Sequence, residues 1–209
     1  MARRGRRESG NQRKHENPNP IQRALIGRFH REVARLVDGV NPTTILELGC
    51  GEGYVLDFLS RAGVGADLTG VDLSAQAVEQ ARQRLGDRAE ILQGDVADAV
   101  DGAARYGMVM ILEVLEHLEN PAAVLATAVE LSDGPVLVSV PREPFFRGLN
   151  LARLRNIKRW GSDPDHVQHW TRRGFEDFLG GRFDVVDRGR AFPWTLLLLD
   201  SPPVSTSET

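Results

Sequence analysis

Apolar residues recur at helical spacing through Ile21, Leu25, Phe29, Val33, Leu36 and Val37, directly after Asn19-Pro20. Asn is a capping residue and proline suits a first helical position, so this stretch predicts an amphipathic helix to about Val37, stopped near Gly39 and Pro42. The period then changes. Residues 43–48 form a short β-branched run that ends in glycines, 54–62 read as a helix closed by Gly63, and 67–71 as a strand. Ser74 caps a helix that runs to Leu85 and ends at Gly86, and 89–93 and 106–112 are strands. Asn120-Pro121 opens a helix to about Leu131, and 135–140 is a further apolar strand. Strands alternating with helices predict a mainly parallel sheet covered on both faces. The run Met108-Val109-Met110-Ile111-Leu112 has no polar break, as burial on both faces requires.

The alternation is interrupted after Pro141. Residues 142–170 form an insert rich in arginine and aromatics, after which Thr171 caps a helix to about Leu179. Residues 183–190 and 193–199 are strands in immediate succession, and so short a link requires an antiparallel pair. The expected organisation is one domain over 18–200, with 142–170 as a lid-like insert and disordered tails at 1–17 and 201–209. The first tail carries six basic residues against Glu8 and Glu16 and has almost nothing apolar to bury.

Composition narrows the classes. With 41% hydrophobic and 26% charged residues in 209, the chain is neither disordered throughout nor fibrous. No apolar run approaches the length of a membrane span. The start of the chain reads as no secretory signal, so the cytoplasm is the expected compartment. The one cysteine, Cys50, excludes a disulfide framework and a cysteine-rich zinc site. Only two lysines occur, Lys14 and Lys158, and neither follows a glycine, so a phosphate-binding P-loop is absent. No H-E-x-x-H and no G-x-S-x-G occurs either.

The chemistry gathers at strand ends. Glu47-Leu48-Gly49-Cys50-Gly51-Glu52-Gly53 follows a predicted strand and opens a helix. Glycines there let the backbone turn tightly and approach a ligand. Tyr54 stands where a dinucleotide-binding G-x-G-x-x-G needs its third glycine. Glu47 would repel a pyrophosphate but suits a ligand that is cationic at that point, an ammonium or a sulfonium. Asp72 ends the second strand, where a carboxylate can accept both hydroxyls of a ribose. Asp95 ends the third and can accept from an adenine amino group. A carboxylate each for an amine, a ribose and an adenine describes S-adenosylmethionine.

These segments resemble the class I S-adenosylmethionine-dependent methyltransferases. The resemblance rests on Ile45 to Gly53, on Gly70-Val71-Asp72-Leu73-Ser74 and on Gly94-Asp95, and it covers about 43–199. It implies a Rossmann-like α/β fold with a seven-stranded mixed sheet of order 3-2-1-4-5-7-6, the last strand antiparallel and helices on both faces. It also implies that Leu73, Val96 and Glu113 join Glu47, Gly49, Gly51, Gly53, Asp72 and Asp95 in holding the cofactor. The segment from Glu113 to Pro121 is similar to that of small-molecule methyltransferases such as the ubiquinone-pathway O-methyltransferases. Small-RNA 2′-O-methyltransferases carry a related E-x-x-E-H that holds a metal. Here that motif is Glu113, Glu116 and His117, and His166 and His169 follow in Asp165-His166-Val167-Gln168-His169-Trp170.

Two readings of these residues stay open. A helical turn would bring Glu113 and Glu116 to one face with His117 adjacent, a divalent-metal site that His166 completes. Alternatively His117 is a metal-free general base, which is the favoured account. Phe145, Phe146, Trp160 and Trp170 of the insert would cover the acceptor. The expected activity is methyl transfer to a small molecule, at oxygen, with a lipid-like acceptor and peripheral membrane contact as extensions. The alternative is an RNA methyltransferase, or a basic nucleic-acid or membrane-surface module that keeps the cofactor fold. The stretch Arg142, Arg147, Arg153, Arg155, Lys158, Arg159, Arg172 and Arg173 supports the alternative. The net charge of −3 and the lack of an RNA-binding appendage weigh against nucleic acid. Oligomeric state leaves no mark in the pattern.

Overall fold

The structure is a computed structural model and describes residues 15, 17–95, 105–142, 167–180 and 182–200. Helix α1 (Pro20–Val40) begins as its sequence dictates: the Asn19 side chain accepts from the Ile21 and Gln22 N–H groups, and Pro20 takes the first turn. It runs three residues beyond the expected Val37 and stops at Asn41, which is left-handed and donates its N–H to the Val37 carbonyl. Pro42 accounts for this end, because a residue preceding proline is disfavoured in the right-handed helical region.

Strand β1 (Thr44–Leu48) leads through the glycine turn to α2 (Tyr54–Arg61), and β2 (Asp67–Asp72) to α3 (Ala75–Leu85), capped by Ser74 on the Ala77 N–H. Then follow β3 (Glu90–Gln93), β4 (Met108–Leu112), α4 (Pro121–Glu130), β5 (Val136–Pro141), α5 (Arg172–Leu179), β6 (Asp184–Gly189) and β7 (Trp194–Asp200). Strand β4 starts two residues later than expected. Tyr106 instead makes an isolated parallel bridge to Ser132.

The strands form one seven-stranded sheet in the order β3-β2-β1-β4-β5-β7-β6, as expected. All pairs from β3 to β5 are parallel, and β7 runs antiparallel to both β5 and β6. Alternation along the strands divides the core in two. Ile45, Met108, Met110, Leu196 and Leu198 pack with α1, α2 and α3, whereas Leu46, Val109, Ile111, Val138 and Leu197 pack with α4 and α5.

This topology positions the site. From β1 the chain winds outward to β2 and β3 and then returns to place β4 on the other side of β1. Ligands of open α/β sheets bind at the carboxyl ends of the strands where the order reverses, here between β1 and β4. Glu47 and Gly49 lie at that end of β1, Asp72 at the end of β2 and Glu113 just past β4.

Candidate active site

The loop after β1 is held in a shape that only glycine adopts easily. Gly49, Gly51 and Gly53 all have positive φ, at 74°, 54° and 74°. A side-chain carbon on Gly49 would collide with Val114, and one on Gly53 would lie 2.8 Å from Leu85 Cδ1. The loop is thus pressed between the turn after β4 and helix α3. Its far side is tied by Asp72, whose carboxylate accepts the Gly51 N–H at 2.8 Å and the Ser74 N–H at 2.8 Å.

Glu47 is buried beneath this loop, and its Oε2 meets no hydrogen-bond donor among the described residues. Burial, with the Asp72 charge adding to it, pushes the Glu47 carboxyl up to about 8. A cation placed beside it removes both penalties. Leu73 is 66% exposed, which leaves a bare apolar side chain next to Asp72. Asp95 is exposed at the end of β3. Val96 lies outside the described residues. Cys50 is packed against Gly70, and burial raises its thiol far above the ordinary range, so it fills space as a neutral group.

The turn after β4 is not the helical turn that the spacing suggested. Glu113 takes a left-handed conformation with φ 62°, and Leu115–His117 form a single 3-10 turn. A left-handed non-glycine residue costs about 1–3 kcal/mol, and such strain collects at functional sites. The Glu113 carboxylate accepts the Trp194 indole N–H at 2.6 Å, and Trp194 in turn packs on Phe29 of α1 at 5.1 Å. Glu116 is buried, whereas His117 is exposed. The turn therefore spreads these three side chains apart. Among the described residues no three His, Cys, Asp or Glu side chains gather as a metal-binding group.

The second histidine-bearing segment does meet this turn, through its backbone. The Val167 and Gln168 N–H groups both donate to the Glu116 carbonyl, at 2.8 and 2.9 Å. His169 is exposed, and His166 lies outside the described residues, as do Phe145, Phe146 and Trp160. Trp170 packs on Phe175 and Phe178 of α5, at 5.2 and 5.5 Å.

Sequence reasoning missed two features. One is Trp194, whose partner stands 81 residues earlier. The other is a ring column at the start of α2. Tyr54 is stacked by His15 at 4.0 Å and covered by the Arg84 guanidinium at 3.7 Å, and His30 lies 5.3 Å from His15. His15 belongs to the segment read as a free tail. Its neighbours in sequence carry no apolar pattern that signals this packing.

Comparison with known proteins gives the class. The methyltransferase-domain family matches residues 21–182, and the chain belongs to it. Among curated relatives, the ubiquinone biosynthesis O-methyltransferase of Thiobacillus denitrificans is 35% identical over 91 residues, covering 42% of this chain and 38% of its own length. That of Erwinia tasmaniensis is 30% identical over 132 residues, 61% of this chain and 49% of its own. The chain thus spans about half the length, or less, of these relatives. Two solved structures share the fold. The magnesium protoporphyrin IX methyltransferase of Synechocystis PCC 6803 with bound SAH has a TM-score of 0.66 at 22% identity, covering 88% of each chain. The plantazolicin methyltransferase BpumL, solved with a substrate analogue and SAH, has a TM-score of 0.68 at 18% identity, covering 92% of this chain and 91% of its own.

Proposed function

We propose that the protein is an S-adenosylmethionine-dependent methyltransferase that methylates a small molecule at oxygen. The observation that carries this is the buried Glu47 carboxyl, whose Oε2 meets no donor among the described residues, near Asp72 and the glycine loop. An orphaned buried acid next to a second acid fits an ammonium-bearing ligand and disfavours a phosphate. In this reading Glu47 faces the ammonium, Asp72 takes the ribose hydroxyls, and Asp95 takes the adenine amino group. Leu73, Val96 and Glu113 border the cofactor, and Gly49, Gly51 and Gly53 give the backbone room to approach it.

The bound cofactor supplies a methyl group already activated by its sulfonium. The protein's part is alignment and, for a hydroxyl acceptor, removal of a proton. His117 is the base in this account, exposed on the turn after β4. A metal held by Glu113, Glu116, His117 and His166 is the competing account, and the separation of the first three side chains disfavours it. The names of the curated relatives support an oxygen acceptor on a small molecule. A lipid-like acceptor, peripheral contact with an anionic membrane and a cytoplasmic location extend that reading.

The test is incubation of the protein with methyl-labelled S-adenosylmethionine and a cell extract. Label in the extracted small-molecule fraction supports the proposal. Label confined to RNA or protein, or none at all, contradicts it.

A further inference from the structure

On the far half of the sheet a groove of about 600 Å³ opens around the end of β6 and the start of β7. Arg28, Arg142, Arg172, Arg188 and Arg190 line it, together with Thr195. Its volume is that of a small-molecule site. Several of its charges are already answered. Glu176 pairs with Arg172 at 3.0 Å and with Arg188 at 3.3 Å, and Asp187, which also lines the groove, pairs with Arg35 at 3.0 Å. Arg142 and Arg190 make no ion pair at contact distance among the described residues, although the Glu176 charge acts on Arg142 from farther off. The Arg142 Nε donates to the buried Thr195 hydroxyl at 3.2 Å, and its backbone N–H donates to the Pro193 carbonyl at 3.0 Å. Arg190 lines the groove as an exposed residue, held in place where its backbone N–H donates to Glu32 at 3.1 Å.

This groove shares an edge with the candidate active site. Arg142 follows β5, and Arg190 follows β6. Because β7 runs antiparallel, its first residues stand at the same edge, with Trp194 opposite Pro141 and Thr195 opposite Val140. Trp194 is also the residue that donates to Glu113. Neighbouring strands lie about 4.8 Å apart, so β7 stands roughly 10 Å from β4, about the length of a substituted aromatic ring. Burial and the neighbouring Arg172 charge hold the Arg142 guanidinium below its ordinary value, and a bound anion relieves the second of these.

We propose that this groove holds an oxyanion carried by the methyl acceptor, a carboxylate or a phosphate ester, clamped by Arg142 and Arg190 beside the Thr195 hydroxyl. Two donors on a planar guanidinium match the paired oxygens of either group. The anion anchors one end of the acceptor while its hydroxyl reaches toward β4 and His117. The proposal rests on the methyltransferase reading and names the substrate class for it.

The experiment is a calorimetric titration of the full chain, preloaded with S-adenosylhomocysteine, by phenol, 4-hydroxybenzoate and 4-hydroxyphenyl phosphate. At least one of the two anionic probes is expected to bind ten times or more tighter than phenol. Whichever is tighter identifies the oxyanion. Arg142→Gln and Arg190→Gln are each expected to erase that preference while S-adenosylhomocysteine affinity stays unchanged. Arg190 is exposed, so its variant tests the clamp even where Arg142→Gln unfolds the edge. Equal affinity for all three probes, or a preference that survives both variants, overturns the proposal. Absence of S-adenosylhomocysteine binding overturns the methyltransferase reading instead, and the same probes titrated into the free chain then decide the groove alone.

Discussion

Replacing Asp72 by alanine removes the acceptor that closes the glycine loop. In the free protein the carboxylate takes two N–H groups, from Gly51 and Ser74, each at 2.8 Å. On the proposed assignment it takes two ribose hydroxyls as well when the cofactor is bound. A hydrogen bond to a charged group contributes about 1.5–3 kcal/mol, so two lost ribose contacts amount to about 3–6 kcal/mol. One effect runs the other way. Asp72 helps to raise the Glu47 carboxyl, and without it Glu47 ionises more readily and receives an ammonium better. The net loss expected is about 2–4 kcal/mol, roughly 30- to 900-fold in Kd. Calorimetry with S-adenosylhomocysteine measures it, with a melting curve to show that the variant is folded. A folded Asp72→Ala protein that binds within threefold of the wild type refutes the assignment of this carboxylate.

The raised Glu47 carboxyl makes the free protein pH-sensitive. Because the folded pKa of about 8 exceeds the ordinary 4.5, the folded state holds the extra proton, and this group's stabilising contribution is lost as pH rises through 8. Cofactor binding near neutral pH should therefore release a proton, seen as a buffer-dependent binding enthalpy. That release should vanish in Glu47→Gln, and an enthalpy independent of buffer in the wild type would count against it. Trp194→Phe deletes the indole N–H from Glu113 and should cost about 1.5–3 kcal/mol in urea unfolding, with a loss below 0.5 kcal/mol contradicting the bond's importance. His117→Ala should slow turnover about a hundredfold or more while EDTA leaves the wild type unaffected. Activity that disappears with EDTA and returns with Mg²⁺ would instead favour the metal account. His15→Ala should lower stability by about 0.5–1.5 kcal/mol through the lost stack on Tyr54, and an unchanged unfolding midpoint would show the contact to be incidental.

Local signals carried the elements and pointed to the first half of the candidate site. Asn19, Ser74, Asn120 and Thr171 each cap the helix that their position announced, because a cap is a contact between near neighbours. Glu47 and Asp72 were legible for a similar reason: each sits at the end of an apolar run, and strand ends define the ligand edge of such a sheet. The order of the strands followed from the family resemblance, since apolar periodicity does not say which strand pairs with which. The turn after β4 went astray because three residues are too few to separate an α-turn from a 3-10 turn by pattern. Glu113 therefore faces Trp194, and Glu116 points into the core. The arginine groove was hidden altogether. Its residues come from α1, the end of β5, the start of α5, β6 and β7, and only the closed sheet brings them to one place.

The central claim is that the crevice at the carboxyl ends of β1, β2 and β4, beside the glycine loop, holds S-adenosylmethionine. A crystal structure grown with S-adenosylhomocysteine tests it most directly. The account predicts the ligand's ammonium beside Glu47, its ribose hydroxyls on Asp72, and its adenine against Leu73 with the amino group toward Asp95. Density for the ligand in the arginine groove, or a well-ordered glycine loop with none despite saturating ligand, would contradict it.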